Sequence, residues 1–167
     1  MELIGHILGF IAVVFFFIAY QIFDKKKLLI TQTIAITLIS VQYLLIGAYS
    51  GCVLNVVCLV RNILYYYRDK KGGSGLFLPG VISLVLVFVS LFSWEGYHSL
   101  LIVAGLVVNT IATGVFDTQN LRKSILVSCS LIFVYNFIEG SYSAMLNEII
   151  SISSALVGIV RYRKKRL

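Results

Sequence analysis

The chain is poor in charged residues, in proline and in cysteine. Only 13% of its 167 residues are charged, and it contains a single proline and three cysteines. A soluble domain is about a quarter charged, which argues against a soluble enzyme. The cysteines lie singly within apolar runs, without the paired Cys or His spacing of a disulfide framework or zinc site. We therefore expect no metal and no cofactor.

Catalytic and nucleic-acid-binding patterns are also missing. The sequence has no HExxH, no glycine-rich phosphate loop, no Ser/His/Asp arrangement and no pair of carboxylates within one apolar run. The net charge of +7 comes from short basic clusters between long apolar runs, with no basic stripe carrying interleaved aromatic residues. We therefore expect neither an enzyme nor a nucleic-acid-binding protein.

Apolar residues dominate the chain. They make up 59% of it, and the mean hydropathy is +0.96. One core cannot hide that much apolar surface from water, so we expect a lipid bilayer as the main partner. A spanning helix needs roughly 17–25 apolar residues. The sequence predicts seven such helices, at 4–23, 28–46, 50–67, 76–92, 97–116, 121–138 and 143–160.

The loops between these spans divide by charge. Thirteen of the fourteen Lys and Arg residues lie in alternate loops and the C-terminal tail, whereas the opposite side carries Glu2, Glu95 and Glu139 and no basic residue. Basic short loops stay in the cytoplasm. The sequence predicts an N-terminus outside, a cytoplasmic C-terminus, and Arg122 and Lys123 at the inner interface.

The two ends of the chain resemble each other at an ungapped offset of 93 residues. Asp24 falls on Asp117, Arg68 on Arg161, and the Gly-x-Tyr-Ser motif at 47–50 on the one at 140–143. Shared membrane-helix composition is the alternative explanation. Three spans per repeat and one span between them give both repeats the same orientation, related by an axis along the membrane normal.

This repeat predicts the organisation of the chain. We expect a first three-helix bundle at 1–71, a linker with the fourth helix at 72–95, and a second bundle with a basic tail at 96–167. A solute site is expected near the bilayer midplane, where the two bundles meet.

Polar residues inside the spans are the candidate site. Arg61 and Glu148 are the two full charges well within a span, where a charge usually faces the interior of the bundle and often marks function. The repeat places Asn55 at the position of Glu148. The candidate solute-binding residues are Asn55, Arg61, Asn62, Asn109, Asn136, Asn147, Glu148 and Ser151.

The same residues also permit a structural interpretation. Glu148 would neutralise Arg61, and the amide side chains would join helices by hydrogen bonds. The chain would then be a non-transporting membrane protein such as a receptor, scaffold or assembly factor. The leading hypothesis is a transporter or facilitator for a small polar solute, and either protein could form a homo-oligomer.

Specific motifs resemble a known family. The run Leu-Leu-Ile-Gly-Ala-Tyr-Ser-Gly at 44–51, followed by Asn55 and Arg61-Asn62, is similar to the YgjV family of small multi-span proteins of the bacterial inner membrane. The counterpart in the second half is Glu-Gly-Ser-Tyr at 139–142, followed by Glu148 and by Arg-Tyr at 161–162. The resemblance implies a location in the bacterial cytoplasmic membrane.

The three-one-three layout is also similar to the SWEET and PQ-loop transporters. That likeness implies solute contact by asparagines on the third and seventh spans, for which Asn55 or Asn62 and Asn147 are the nearest candidates. The chain lacks the proline that this group carries in its first and fifth spans, and it lacks the Pro-Gln pair.

Overall fold

The computed structural model describes residues 2–47, 49–73, 75–92, 94, 96–138, 140 and 142–165. These residues form seven α-helices and no strand. The helices are α1 (Glu2–Gln21), α2 (Lys25–Leu45), α3 (Tyr49–Lys70), α4 (Phe77–Leu91), α5 (Ser99–Val115), α6 (Thr118–Ile138) and α7 (Tyr142–Lys165). Each overlaps one predicted span, which confirms an all-α chain of seven helices. Glu95, Glu139 and Arg166, used in the charge comparison, lie outside the described residues.

The residues at the ends of α2 and α6 correspond at the 93-residue offset. The Asp24 carboxylate caps α2 by accepting a hydrogen bond from the Lys27 backbone N–H at 2.9 Å. The Asp117 carboxylate accepts from the Gln119 backbone N–H at 3.4 Å, at the start of α6. Gly47 and Gly140 follow α2 and α6 with φ values of +78° and +67°, a conformation that favours glycine.

Burial is inverted relative to a soluble protein. Arg61, Asn62, Arg122 and Glu148 are all buried, whereas large apolar side chains such as Phe77 face outward. By length and composition, α2, α6 and Met145–Tyr162 of α7 are sufficient to cross a membrane, and the apolar stretches of α1, α4 and α5 are shorter. An apolar exterior around a polar interior is the arrangement that lipid favours, because polar groups in hydrocarbon must find partners within the protein.

The helices pack in two consecutive triplets. In the first half of the molecule, α1 packs on α2 and α2 on α3; in the second half, α5 packs on α6 and α6 on α7. Contacts of α1 with α7 and of α3 with α5 join the two halves, and α4 packs on α3 and α5. The helix interfaces between the halves therefore place the interior faces of both triplets around a common centre.

Gly158 permits the close approach of α7 to α1. A β-carbon at this position would lie 2.6 Å from the Tyr20 carbonyl oxygen and 2.7 Å from Arg122 Nε. We expect Gly158→Ala to destabilise the protein by about 1–3 kcal/mol, because a backbone carbonyl cannot move aside without shifting a helix. Thermal unfolding in detergent measures the effect. Gly80→Ala is the control, since a β-carbon there meets nothing within 4 Å, and an equal loss in both variants would contradict the prediction.

Candidate functional site

A polar cavity of about 210 Å³ lies between the two halves. Six helices contribute to its wall, and α4 contributes no described residue. Aliphatic side chains and Phe16 form the apolar part of the wall. The polar part consists of Tyr20, Gln32, Tyr43, Asn55, Cys58, Arg61, Asn109, Cys129, Asn147, Glu148 and Ser151.

The wall of the cavity repeats at the sequence offset. Five pairs of lining positions are 93 residues apart: 16 and 109, 36 and 129, 39 and 132, 55 and 148, and 58 and 151. Each pair has one member in the first half and one in the second. Asn55 thus faces the cavity from the position that Glu148 occupies in the other half.

Arg61 projects from α3 and is held by two neighbours. Its Nε and Nη2 groups donate to Asn62 Oδ1 at 3.1 and 3.0 Å, and Nη1 donates to Thr110 Oγ1 on α5 at 3.1 Å. The side chain is only 3% exposed. A guanidinium has five N–H groups, so one on each terminal nitrogen has no partner among the described residues.

Glu148 lies on the α7 side of the same cavity and is 9% exposed. The Cys129 thiol of α6 lies beside its carboxyl group. The ion pairs among the described side chains are Lys25–Asp69 and Arg68–Asp69, so Arg61 and Glu148 do not form one. The direct pair required by the structural interpretation is therefore not formed, and the two opposite charges share the cavity separately.

Two further acceptors on the wall lack partners. Gln32 Oε1 and Asn147 Oδ1 are buried and accept no hydrogen bond from any described residue. Both side chains line the cavity, and Gln32 is 3% exposed. A buried carbonyl without a partner costs roughly 1–3 kcal/mol, so these oxygens favour a bound donor.

The structure brings together six of the eight predicted site residues. Asn55, Arg61, Asn109, Asn147, Glu148 and Ser151 line the cavity. Asn62 is fully buried behind Arg61 and holds its guanidinium, and Asn136 is buried without reaching the cavity wall. These two are not among the lining residues, and solute binding by all eight stays a prediction.

Sequence reasoning underrated three lining residues. The eight candidate residues did not include Gln32, Tyr20 or Tyr43, all of which line the cavity. The offset offers a signal for Tyr20, since position 113, its equivalent, is a buried threonine. The same offset marks Tyr43, because its equivalent, position 136, is a buried asparagine.

Contacts between the halves also recur at the offset. Arg61 donates to Thr110, and the equivalent position of α7, Ser154, donates to the Phe17 carbonyl at 2.7 Å. Arg68 donates to the Gly114 carbonyl, and Arg161 donates to Gln21 Oε1 at 3.3 Å. The contacts of Arg68 and Arg161 lie toward the C-terminal ends of α3 and α7 and join the halves there.

Arg122, which the sequence predicts at the inner interface, makes its contacts within the protein. It is fully buried, and it donates to the Tyr20 carbonyl at 2.8 Å, the Ile22 carbonyl at 2.7 Å and Gln119 Oε1 at 3.0 Å. The last carbonyls of a helix lack partners within it. Arg122 supplies donors to those at the end of α1, which is why a charge is stable in this buried position.

Comparison with known proteins identifies a family that matches the chain. Residues 3–166 match a family whose description is bacterial inner membrane protein, Imp-YgjV. No curated protein and no solved structure matches the chain. Because the match covers nearly the whole sequence, and the burial pattern is that of a membrane protein, the chain belongs to the YgjV family of bacterial inner membrane proteins.

Proposed function

We propose that the protein is a transporter or facilitator for a small polar solute, which binds in the cavity between the two halves. The observation that carries the proposal is a buried Arg61 and a buried Glu148 that line one cavity without pairing. Charges in a spanning region are costly and mark solute or ion pathways when they face an internal cavity. A purely structural core would pair them.

The proposed architecture is a pair of three-helix bundles in the same orientation, joined by α4. The recurrence of cavity positions and of contacts between the halves at the 93-residue offset supports this arrangement. In transporters built from such repeats, the site lies near the midplane between the repeats. The bundle boundaries at 71/72 and 95/96 belong to the same proposal.

We further propose an extracytoplasmic N-terminus and a cytoplasmic C-terminus, which the distribution of Lys and Arg among the loops supports. The contacts toward the C-terminal ends of α3 and α7 would then close the cavity on the cytoplasmic side. Rocking of one half against the other would open this side and close the other, giving alternating access.

Filling the cavity tests the proposed route. We expect Ser151→Leu to abolish most solute flux, because the added side chain enters a cavity of about 210 Å³ from a position that is 5% exposed. The measurement is stopped-flow light scattering of proteoliposomes after an osmotic step with glycine, γ-aminobutyrate, ribose, glycerol or urea.

The matched control is Ser153→Leu, two residues along α7 on its exposed face. This variant should keep wild-type flux, since the new side chain faces lipid. If none of the five solutes crosses wild-type proteoliposomes faster than protein-free liposomes, the transport proposal fails. If Ser151→Leu and Ser153→Leu behave alike, the cavity is not the route.

A further inference from the structure

We propose that the solute is a small zwitterion with a primary ammonium group at one end and a carboxylate at the other. This inference rests on the proposed transport function and names the class of solute. The geometry that points to it is a cavity wall that carries one guanidinium with spare donors, one carboxylate that does not pair with it, and two spare carbonyl oxygens.

The guanidinium side suits a carboxylate. Asn62 and Thr110 together use three of the five N–H groups of Arg61, which leaves one on Nη1 and one on Nη2. Two donors on the two terminal nitrogens match the two oxygens of a carboxylate, the pairing in which arginine is strongest. The contacts to Asn62 and Thr110 hold the guanidinium plane before the solute arrives, so little side-chain entropy is lost on binding.

The acceptors on the wall suit a primary ammonium. An ammonium group has three N–H donors and no acceptor. The wall offers three acceptors on two helices: the Glu148 carboxylate and Asn147 Oδ1 on α7, and Gln32 Oε1 on α2. The two amide oxygens have no partner among the described residues, so a donor-rich solute would satisfy both at once.

Other solute classes leave a buried charge without a partner. A simple anion would pair with Arg61 and leave Glu148 alone, and a simple cation would do the reverse. A neutral sugar would neutralise neither, and an unpaired buried charge is far more costly than an unpaired hydroxyl. The volume of about 210 Å³ corresponds to about seven water molecules, which limits the solute to a short chain.

Binding to the detergent-purified full chain tests the assignment. The probes are glycine, β-alanine, γ-aminobutyrate and 5-aminovalerate, which differ only in the separation of their two charges. We expect at least one to raise the unfolding temperature and to bind in calorimetry. Butylamine, butyrate and glycine betaine, each lacking one charge or the N–H donors, should bind about tenfold or more weakly, because a hydrogen bond to a charged group is lost.

Two variants locate the bound zwitterion. Gln32→Met removes the unpartnered oxygen together with the amide group beside the Tyr20 hydroxyl, at nearly constant side-chain volume, and should bind the best zwitterion about tenfold more weakly. Glu148→Gln should weaken it further. Ser83→Ala is the control, because Ser83 Oγ is also buried without a described partner but lies on α4 away from the cavity. This variant should bind like the wild type.

The possible failures are distinguishable. If ribose, glycerol or urea crosses proteoliposomes while no zwitterion binds or crosses, the zwitterion assignment is overturned and transport stands. If a zwitterion binds equally to the wild type, Gln32→Met and Glu148→Gln, the cavity is not its site and the assignment is overturned as well. If Glu148→Gln does not fold, Gln32→Met against Ser83→Ala decides the question.

Discussion

Replacing Arg122 with leucine is expected to lower the free energy of unfolding by about 3–6 kcal/mol, the largest stability effect that we predict for a single side chain. Arg122 is fully buried and donates to the backbone carbonyls of Tyr20 and Ile22, at 2.8 and 2.7 Å. Leucine leaves both carbonyls without these donors at the end of α1. Each lost hydrogen bond to a charged group contributes about 1.5–3 kcal/mol.

The neighbouring residue provides the control for this prediction. Lys123 is exposed on the same turn of α6, so Lys123→Leu should leave stability nearly unchanged. Arg122→Lys keeps the charge but has one nitrogen for two carbonyls, and we expect an intermediate loss. Thermal unfolding in detergent ranks the variants. Equal stability of Arg122→Leu and Lys123→Leu would show that the end of α1 does not depend on this contact.

A disulfide between the halves is expected to stop nearly all transport, the largest functional effect that we predict. Gln21 Nε2 of α1 donates to Ser154 Oγ of α7 at 2.9 Å, so cysteines at these two positions would face each other across the contact between the halves. The bond would hold the halves together at this end, and rocking of one repeat against the other would be blocked. Oxidation should abolish solute flux in proteoliposomes, and a reductant should restore it.

A second disulfide controls for cross-linking itself. Cys52 Sγ of α3 lies 3.6 Å from the Ser40 carbonyl oxygen of α2, so Ser40→Cys places a thiol near a native cysteine within the first half. This bond joins two helices that move together in the proposed cycle, and flux should persist after oxidation. Continued transport with the Gln21–Ser154 positions fully cross-linked would rule out rocking as the mechanism.

Much of the fold follows from periodic properties of the sequence. Long apolar runs separated by short polar or glycine turns predicted seven helices, and seven are present in the described residues. Individual residues also mark the ends of helices. Asp24 caps the start of α2, and Gly47, which follows α2, has a positive φ. Such signals are local, so they can be interpreted without knowing which helices are neighbours.

The candidate site could be predicted only in part. Arg61 and Glu148 stood out because a charge within an apolar run is rare, and both line the cavity. Asn62 and Asn136 carry the same chemistry, and both are buried without lining the cavity. The direction of a side chain depends on the rotation of its helix against its neighbours, and composition alone does not specify that rotation.

For Arg122, the repeat predicts burial, which the charge pattern does not. Charge near the start of a span predicts a position at the inner interface and does not specify burial, whereas the 93-residue offset aligns Arg122 with Leu29, and both are fully buried. The offset thus indicates a core position, while the arginine itself indicates a polar partner. Only the packing of α6 against the end of α1 supplies that partner.

The amino-acid sequence by itself determined the solvent of this protein, the number of its helices and the residues that lipid would not accept, since hydropathy and turn chemistry act over a few residues. Tertiary structure decided which of those residues meet. It placed Arg61 and Glu148 on one cavity without pairing them, left Gln32 Oε1 and Asn147 Oδ1 without described donors, and set Arg122 against α1. These outcomes depend on contacts between helices far apart in the chain, whose distances and rotations arise only from packing.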